Sequence, residues 1–225
     1  MNAALIVIDM QRDFCSPGGY ADAAGMDVQR LREPVAHIQQ LLKAARAAGL
    51  LVVHTREGHL PDLSDCPPAK LARSVAAGAA IGSQGPLGRL LVRGEQGHDF
   101  IEALKPAPGE TVIDKPGYGA FHLTRLGQVL AAHRTQRLFL CGVTTEVCVH
   151  STLREAVDRG FDCTTVGDAT AASRPELQAP ALAMIGVEGG IFGRLRSTAD
   201  VVAELGGSAP ARTGATTWTQ AFSGA

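Results

Sequence analysis

Short apolar runs alternate with amphipathic stretches along most of the 225-residue chain. Runs of this kind, bounded by glycine, proline or polar residues, are typical of buried strands. They predict strands at residues 4–8, 50–53, 111–113, 137–141 and 161–166, with a shorter one at 190–192. The sequence therefore predicts a sheet whose strands are separated by long connections.

Helical spacing fills most of those connections. After Pro34, apolar residues recur every three or four positions until Gly49, which places them on one face of a helix. The same criterion predicts helices at 123–133, 148–159 and 175–187, while Asp99 and Ser197 are placed to cap helices at 100–104 and 198–205. Residues 15–26 and 54–68 are predicted to be loops, and 69–98 has no clear period.

Strands that alternate with helices indicate a parallel sheet with right-handed crossovers and helices on both faces. We expect one α/β domain over residues 1–205, with a doubly wound, Rossmann-like sheet in three α/β/α layers. A tail rich in glycine, alanine, serine and threonine follows at 206–225. Gly18 and Gly19 lack the G-x-G-x-x-G spacing of dinucleotide-binding folds. The fold therefore implies no nucleotide, and no cofactor is predicted.

Composition narrows the choice of partners. A formal net charge of -1 gives no reason to expect nucleic acid or an anionic membrane. No apolar run approaches the ~18 residues of a membrane span. Five cysteines without framework-like spacing predict reduced thiols in a cytoplasmic protein. The first residues lead directly into a strand, so no signal peptide is expected.

Cys148 is the first candidate for chemistry. It lies in the first turn of a predicted helix, just beyond the C-terminal end of the strand at 137–141. The unpaired N–H groups and the helix dipole at that position stabilise a thiolate, the reactive form of cysteine. A buried cysteine without a reactive role is the alternative, since cysteine often packs as a small apolar residue.

Two charged residues end other predicted strands. Asp9 follows the run at 4–8 and is continued by the segment Met10-Gln11-Arg12-Asp13-Phe14, and Lys115 follows the run at 111–113. Ligands of open α/β sheets bind outside the carboxyl ends of the strands, so this is where chemistry is expected. Without the other motifs, Asp9 could equally be a capping aspartate after a strand, and Lys115 could be an ordinary surface lysine.

The three segments together resemble the isochorismatase-like cysteine hydrolases, the superfamily of nicotinamidase and N-carbamoylsarcosine amidase. The family pattern D-x-Q-x-D-F, then a lysine, then G-x-x-T-x-x-C-V matches the chain in order, and the resemblance extends over about residues 4–204. It implies that Cys148 attacks an amide carbonyl, that Asp9 moves the proton and that Lys115 holds Asp9 in place. It also implies an oxyanion hole from the backbone N–H groups of Thr144 and Cys148, with a cis peptide before Thr144.

Within the superfamily, residues 54–73 and 142–154 look most like the biuret and triuret hydrolases. This resemblance implies a small linear ureide as substrate, with Phe14, Tyr118 and Glu188 as substrate-binding residues. Biuret hydrolases tend to have lysine and glutamine where this chain has Tyr118 and Glu188, which favours triuret over biuret. Ureidoacrylate amidohydrolase, which shares the Pro17–Tyr20 loop, and N-carbamoylsarcosine amidase are the alternatives.

Other functions are less compatible with these residues. Nicotinamidases bind a metal through a D-x-H motif and a further histidine, but His54, His59 and Asp62 have a different spacing, so no metal is predicted. True isochorismatases lack the cysteine nucleophile. A non-catalytic scaffold and a redox-active thiol remain as alternatives from other classes. The resemblance also implies a homo-oligomer, either a dimer or a tetramer.

Overall fold

The computed structural model describes residues 2–207, and within them six parallel strands form the main sheet. These are β1 (Ala3–Ile8), β2 (Leu51–Glu57), β5 (Thr111–Lys115), β6 (Arg137–Val143), β7 (Asp162–Ala171) and β8 (Arg194–Arg196). A two-stranded antiparallel sheet consists of β3 (Gln84–Gly85) and β4 (Gly88–Arg89). The order in the main sheet is β5-β2-β1-β6-β7-β8, so the chain winds outward from β1 in both directions.

Helices cover both faces of this sheet. They are α1 (Arg12–Cys15), α2 (Tyr20–Ala23), α3 (Val28–Arg32), α4 (Val35–Ala47), α5 (Pro68–Ala76), α6 (Leu126–Ala132), α7 (His150–Asp158), α8 (Pro175–Ile185) and α9 (Thr198–Leu205). The apolar faces of α4 and α9 pack into one hydrophobic core, and those of α6, α7 and α8 pack into the other. The predicted doubly wound, three-layer α/β/α fold is confirmed.

Strand β1 lies in the middle of the sheet. Every one of its residues is buried, because its side chains are covered on both faces. Successive side chains of a strand point to opposite faces, so Leu5 and Val7 enter the core with α4 while Ile6 and Ile8 enter the core with α7. β1 pairs with β2 on one side and with β6 on the other. The order of the strands reverses here, and the carboxyl ends of β1 and β6 form the crevice where such folds bind ligands.

Strand β2 extends further than its apolar run. The sequence predicted a strand at 50–53 and a loop from 54, but β2 continues to Glu57 and pairs with β5. Two of its polar residues pair with side chains from distant parts of the sequence. His54 pairs with Glu110 at 3.0 Å and Arg56 with Asp114 at 2.7 Å. Partners this distant in sequence cannot be read from local hydropathy.

A second difference from the predicted strands lies in a glycine-rich turn. The strand predicted at 190–192 is instead a turn that follows the 3-10 segment Val187–Gly189, with Gly190 left-handed at φ +96°, and β8 begins four residues later. The predicted loop at 15–26 contains the short helix α2, and α5 lies in the region without a clear period.

Helix ends differ in how well the sequence predicted them. Ser197 caps α9 as predicted, in a capping box with Asp200. Asp99 caps nothing: it accepts a hydrogen bond from the Phe100 N–H, and the 3-10 turn Glu102–Leu104 follows Ile101. α6 begins at Leu126 because Leu123 is left-handed.

The C-terminal tail predicted at 206–225 lies outside the described residues except for Gly206 and Gly207. Across residues 2–207, no helix combines the length and apolar character needed to cross a bilayer.

Gly142 is predicted to be indispensable for the centre of the sheet. Its φ is +114°, and a Cβ there would overlap the carbonyl group of Ile8 in β1. Gly160 has a similar φ of +86° but open space around its Cβ position, so it is the matched control. We expect Gly160→Ala to cost about 1–2 kcal/mol of unfolding free energy, the cost of left-handed backbone alone. Gly142→Ala adds the clash and should cost more than about 4 kcal/mol or prevent folding. Urea denaturation measures both, and equal losses would contradict the clash.

Candidate active site

Asp9 is fixed at the end of β1 by the neighbouring strand. Its backbone is left-handed at φ +53°, and its side chain is fully buried. The Asp9 N–H donates to the carbonyl oxygen of Thr55 at 3.2 Å, while the Thr55 hydroxyl donates to Asp9 Oδ1 at 2.6 Å. Oδ2 remains for a second partner. The carboxylate is therefore held in one orientation, facing the end of β5.

The rest of the first motif joins the surrounding segments. The Gln11 amide bridges to the backbone of Glu57, accepting from its N–H at 2.5 Å and donating to its carbonyl oxygen at 3.0 Å. Asp13 accepts from the N–H groups of Tyr20 and Leu91 at 3.2 and 3.1 Å. Burial raises the pKa of Asp13 to about 6, although both hydrogen bonds oppose that shift. The motif thus ties β1 to β2 and to the segments above the crevice.

Lys115 is not a surface lysine. It ends β5 with no exposed surface, and its Nζ lies 2.8 Å from Asp9 Oδ2. The ammonium also donates to the carbonyl oxygens of Gly117 and Tyr118 at 3.0 and 2.9 Å. Burial favours the neutral amine, but the anionic groups around Lys115 outweigh it and raise its pKa, so the residue stays charged. Its position relative to Asp9 agrees with the role that the resemblance implied.

Cys148 lies in a short π-helical turn, Thr145–Val149, between β6 and α7. It is buried, and its Sγ lies 3.3 Å from Glu57 Oε2. One side-chain ligand atom from each of Asp9, Glu57 and Cys148 falls within 4.8 Å of the others. Because Lys115 Nζ also lies 2.8 Å from Asp9 Oδ2, the three predicted residues Asp9, Lys115 and Cys148 lie close together.

The surroundings of Cys148 favour the protonated thiol over the thiolate that was expected from a helix N-terminus. Burial raises its pKa well above the ordinary value, and the carboxylates of Asp9 and Glu57 add to this, while Lys115 opposes them. Two anions and loss of water outweigh one cation. Burial also raises the pKa of Asp9 against the opposing effect of Lys115, which makes Asp9 a stronger base than a solvated aspartate.

Sequence reasoning missed Glu57 and Lys70. Glu57 ends β2 with its Oε1 2.6 Å from Lys70 Nζ and its Oε2 3.3 Å from Lys115 Nζ. Lys70 is contributed by α5, donates to the Pro116 carbonyl oxygen at 2.6 Å and lies over the Tyr118 ring. Burial alone would raise the pKa of Glu57, but the two lysines outweigh it and lower that pKa. The available signal was the length of β2, since a longer strand would have placed Glu57 beside Lys115.

A cavity of about 240 Å³ opens onto this cluster. Four of the predicted residues line it: Phe14, Tyr118, Thr144 and Cys148. The Val143–Thr144 peptide is cis, as the resemblance implied. The role of the Thr144 and Cys148 N–H groups as an oxyanion hole stays a prediction. Residues not predicted to bind substrate also contribute to the wall, among them Tyr20, Glu57, Lys70 and Arg73.

Glu188 does not reach the cavity. The structure places it in the exposed 3-10 segment Val187–Gly189 with a left-handed φ of +51°, and it is not among the residues that line the cavity. Gly189 and Gly190, which follow it, are left-handed at φ +75° and +96° and form a turn that leaves Glu188 at the surface. The position of Glu188 therefore gives no support to triuret over biuret as the substrate.

The residues considered for a metal are separated from one another. His54 pairs with Glu110 at 3.0 Å, His59 pairs with Asp65 at 3.1 Å, and Asp62 is exposed. Among residues 2–207, the cluster with suitable ligand atoms is that of Asp9, Glu57 and Cys148, but its carboxylates already have the ammonium groups of Lys115 and Lys70 as partners. A divalent cation would add charge beside two existing cations, so this donor set suits lysines better than a metal.

Comparison with known families identifies the chain. Residues 3–200 match the model described as the Isochorismatase domain. The chain belongs to the isochorismatase family. It is a hydrolase of this family that has a cysteine at the end of β6, as the resemblance to isochorismatase-like cysteine hydrolases indicated.

Solved structures agree with this family. A cysteine hydrolase from Pseudomonas syringae is 30% identical, with a TM-score of 0.77 over 92% of this chain and 93% of that one. An isochorismatase family protein from Desulfovibrio vulgaris is 28% identical, with a TM-score of 0.75 over 91% and 98%. An N-carbamoylsarcosine amidase from Thermoplasma acidophilum shares the fold at 23% identity, with a TM-score of 0.68 over 88% and 97%.

Cys148 is predicted to be essential, and Cys15 is the matched control. Both thiols are buried, but Cys15 donates to the Leu31 carbonyl oxygen at 3.7 Å and does not line the cavity. We expect Cys148→Ala to abolish turnover without unfolding the protein, because the nucleophile is lost. Cys15→Ala should retain most of the activity. Steady-state rates and circular dichroism test this pair, and near-normal turnover by Cys148→Ala would refute the mechanism.

The protonation state of Cys148 predicts a pH dependence. Because the pKa of its thiol is raised, the thiolate fraction should be small at neutral pH and grow as the pH rises. Alkylation of Cys148 by iodoacetamide, followed by mass spectrometry, should therefore accelerate up to a higher pH than alkylation of a free cysteine. The midpoint of the curve is the readout, since burial slows the reaction at every pH. A rate already constant above pH ~6 would indicate a preformed thiolate instead.

Proposed function

We propose that this protein is a cysteine-dependent amidohydrolase that cleaves a C–N bond of a small linear ureide and releases ammonia. The observation that carries the proposal is the buried cluster of Cys148, Asp9 and Lys115 beside a cavity of about 240 Å³. A cavity of this size suits a metabolite smaller than a typical drug-sized ligand. A thiol, a carboxylate base and an ammonium group are the parts that amide hydrolysis through a thioester requires.

The reaction begins when the Cys148 thiol passes its proton to Asp9 and its sulfur attacks the carbonyl carbon of a terminal carbamoyl group. A C–S bond forms, and the carbonyl π electrons move onto oxygen. They return as the C–N bond breaks, and Asp9 gives its proton to the departing nitrogen, which leaves as ammonia. Water then attacks the thioester while Asp9 accepts its proton, and the sulfur leaves and recovers that proton.

The distal end of the substrate is proposed to carry a carboxylate. Arg73 lines the cavity from α5 and is itself exposed, which places a cation at the mouth. Among residues 2–207 no carboxylate forms an ion pair with Arg73. Arginine binds carboxylates through paired hydrogen bonds. Ureides such as N-carbamoylsarcosine and ureidoacrylate therefore suit this cavity better than the neutral triuret and biuret.

An ammonia-release panel tests the activity and the choice of substrate together. We expect N-carbamoylsarcosine or ureidoacrylate to exceed triuret and biuret in kcat/KM, with nicotinamide and maleamate as further comparisons. Arg73→Gln should lower kcat/KM for the carboxylate substrates about 10-fold or more, the cost of losing a charged hydrogen bond, and should leave neutral ureides nearly unchanged.

Lys43→Gln is the matched control for this experiment. It removes the same charge from the exposed surface of α4, away from the cavity, and should alter none of the rates. Turnover of triuret or biuret without the carboxylate substrates would assign the enzyme to neutral ureides. Absence of ammonia from every ureide would disprove the proposed function.

A further inference from the structure

Two carboxylates flank the Cys148 thiol, but the mechanism uses only one of them. Asp9 lies beneath the cavity and does not line it, whereas Glu57 does. Among the described residues, Glu57 is the one acidic side chain in the cavity wall. Its Oε2 lies 3.3 Å from the attacking Sγ. A nitrogen bonded to the carbon that Sγ attacks therefore comes within hydrogen-bonding reach of Glu57.

The surroundings of Glu57 keep it ionised. Lys70 contacts one of its oxygens at 2.6 Å and Lys115 the other at 3.3 Å, while Asp9 has Lys115 as its single ammonium partner. A proton on Glu57 would place a neutral acid between two cations. Protonation of Asp9 disturbs one pair only. Asp9 is therefore the carboxylate that carries the proton, and Glu57 remains ionised as a hydrogen-bond acceptor.

Glu57 also has capacity for another hydrogen bond. An ionised carboxylate offers about four lone-pair positions. Lys70, Lys115 and the Cys148 thiol occupy three of them. The remaining position is on Oε1, beside Lys70, and transfer of the thiol proton to Asp9 frees one on Oε2, beside the reacting atoms. An amide N–H that enters a closed cavity without an acceptor loses its bond to water at a cost, so the freed position on Oε2 lies where a substrate amide needs it.

We propose that Glu57 binds the N–H groups of the scissile amide and orients its nitrogen toward Asp9, with Lys70 holding Glu57 in position. This inference rests on the proposed amide hydrolysis and adds a substrate-contacting residue to it. It also predicts selectivity against N,N-disubstituted amides, because these present no N–H donor at the bond that breaks.

The test compares an amide substrate with the corresponding ester, in the unmodified enzyme and in the Glu57→Gln variant. The amide is the best ureide from the panel, and the ester replaces its –NH2 by –OCH3. In Glu57→Gln, Lys70 still requires an acceptor, so the carbonyl oxygen of the introduced side-chain amide should face Lys70 and its NH2 group should face the substrate. The NH2 group of the variant side chain then faces the N–H of the substrate with no acceptor between them. For this reason kcat/KM for the amide should fall about 10- to 100-fold. The ester has no N–H at this position, so its kcat/KM should fall less than that of the amide, and the ratio of the two losses is the readout.

Two further variants separate this role from a structural one. Glu57→Leu with Lys70→Met removes both charges of the pair and the acceptor itself, so Lys70 is not left uncompensated, and it should show the same selective loss. Glu57→Asp keeps the carboxylate and should retain part of the preference for the amide. Circular dichroism confirms that each variant is folded before rates are compared.

The outcomes are distinct. A selective loss for the amide supports the proposal, and equal losses for amide and ester, or no loss in either, overturn it. If Glu57→Gln alone does not fold, the ratio in the double variant and in Glu57→Asp decides in the same way. Failure of the proposed function shows itself earlier, as absence of ureide hydrolysis by the unmodified enzyme.

Discussion

The active site depends on a buried contact between one ammonium group and two carboxylates. Lys115 lies 2.8 Å from Asp9 and 3.3 Å from Glu57, and none of the three is appreciably exposed. A single charge in such a place would cost several kcal/mol of desolvation, so each of these groups is tolerable only with the others present. Lys70 adds the fourth charge and brings the cluster to neutrality. Glu57 and Lys115 are also register partners in the pairing of β2 with β5, so the charges and the sheet register support each other.

The same charges determine how the nucleophile works. Many reactive cysteines are kept as thiolates by nearby cations, but here two anions adjoin the thiol and its pKa is raised. In the proposed mechanism the sulfur therefore gains its charge only when Asp9 removes the proton during attack. A neutral thiol between ionised carboxylates also explains why a base with a raised pKa is needed next to it. The charges around Cys148 favour transfer of the thiol proton during the attack over a thiolate that exists before the substrate binds.

The sequence predicted those parts of the site that follow from local pattern or from motif. Asp9, Lys115 and Cys148 each follow an apolar run, and the structure brings them together. Glu57 and Lys70 were missed because both are charged residues outside any apolar run, and only the pairing of β2 with β5 and the docking of α5 bury them. Glu188 was misplaced because a glycine-rich turn is compatible with several directions, and only its packing selects one. Ser197 was predicted correctly because a capping box is complete within four residues.

Because the chain winds outward from β1 in both directions, the active site is assembled from segments that are synthesised at different times. Asp9, Glu57, Lys115 and Cys148 stand at the ends of four neighbouring strands, yet β1 is made first and β6 follows more than a hundred residues later. During synthesis, an early segment of the chain holds the base without its lysine, and a longer one holds both without a thiol to act on. The four side chains can therefore come together only after residue 148 has been made and β6 has paired with β1 in the middle of the sheet.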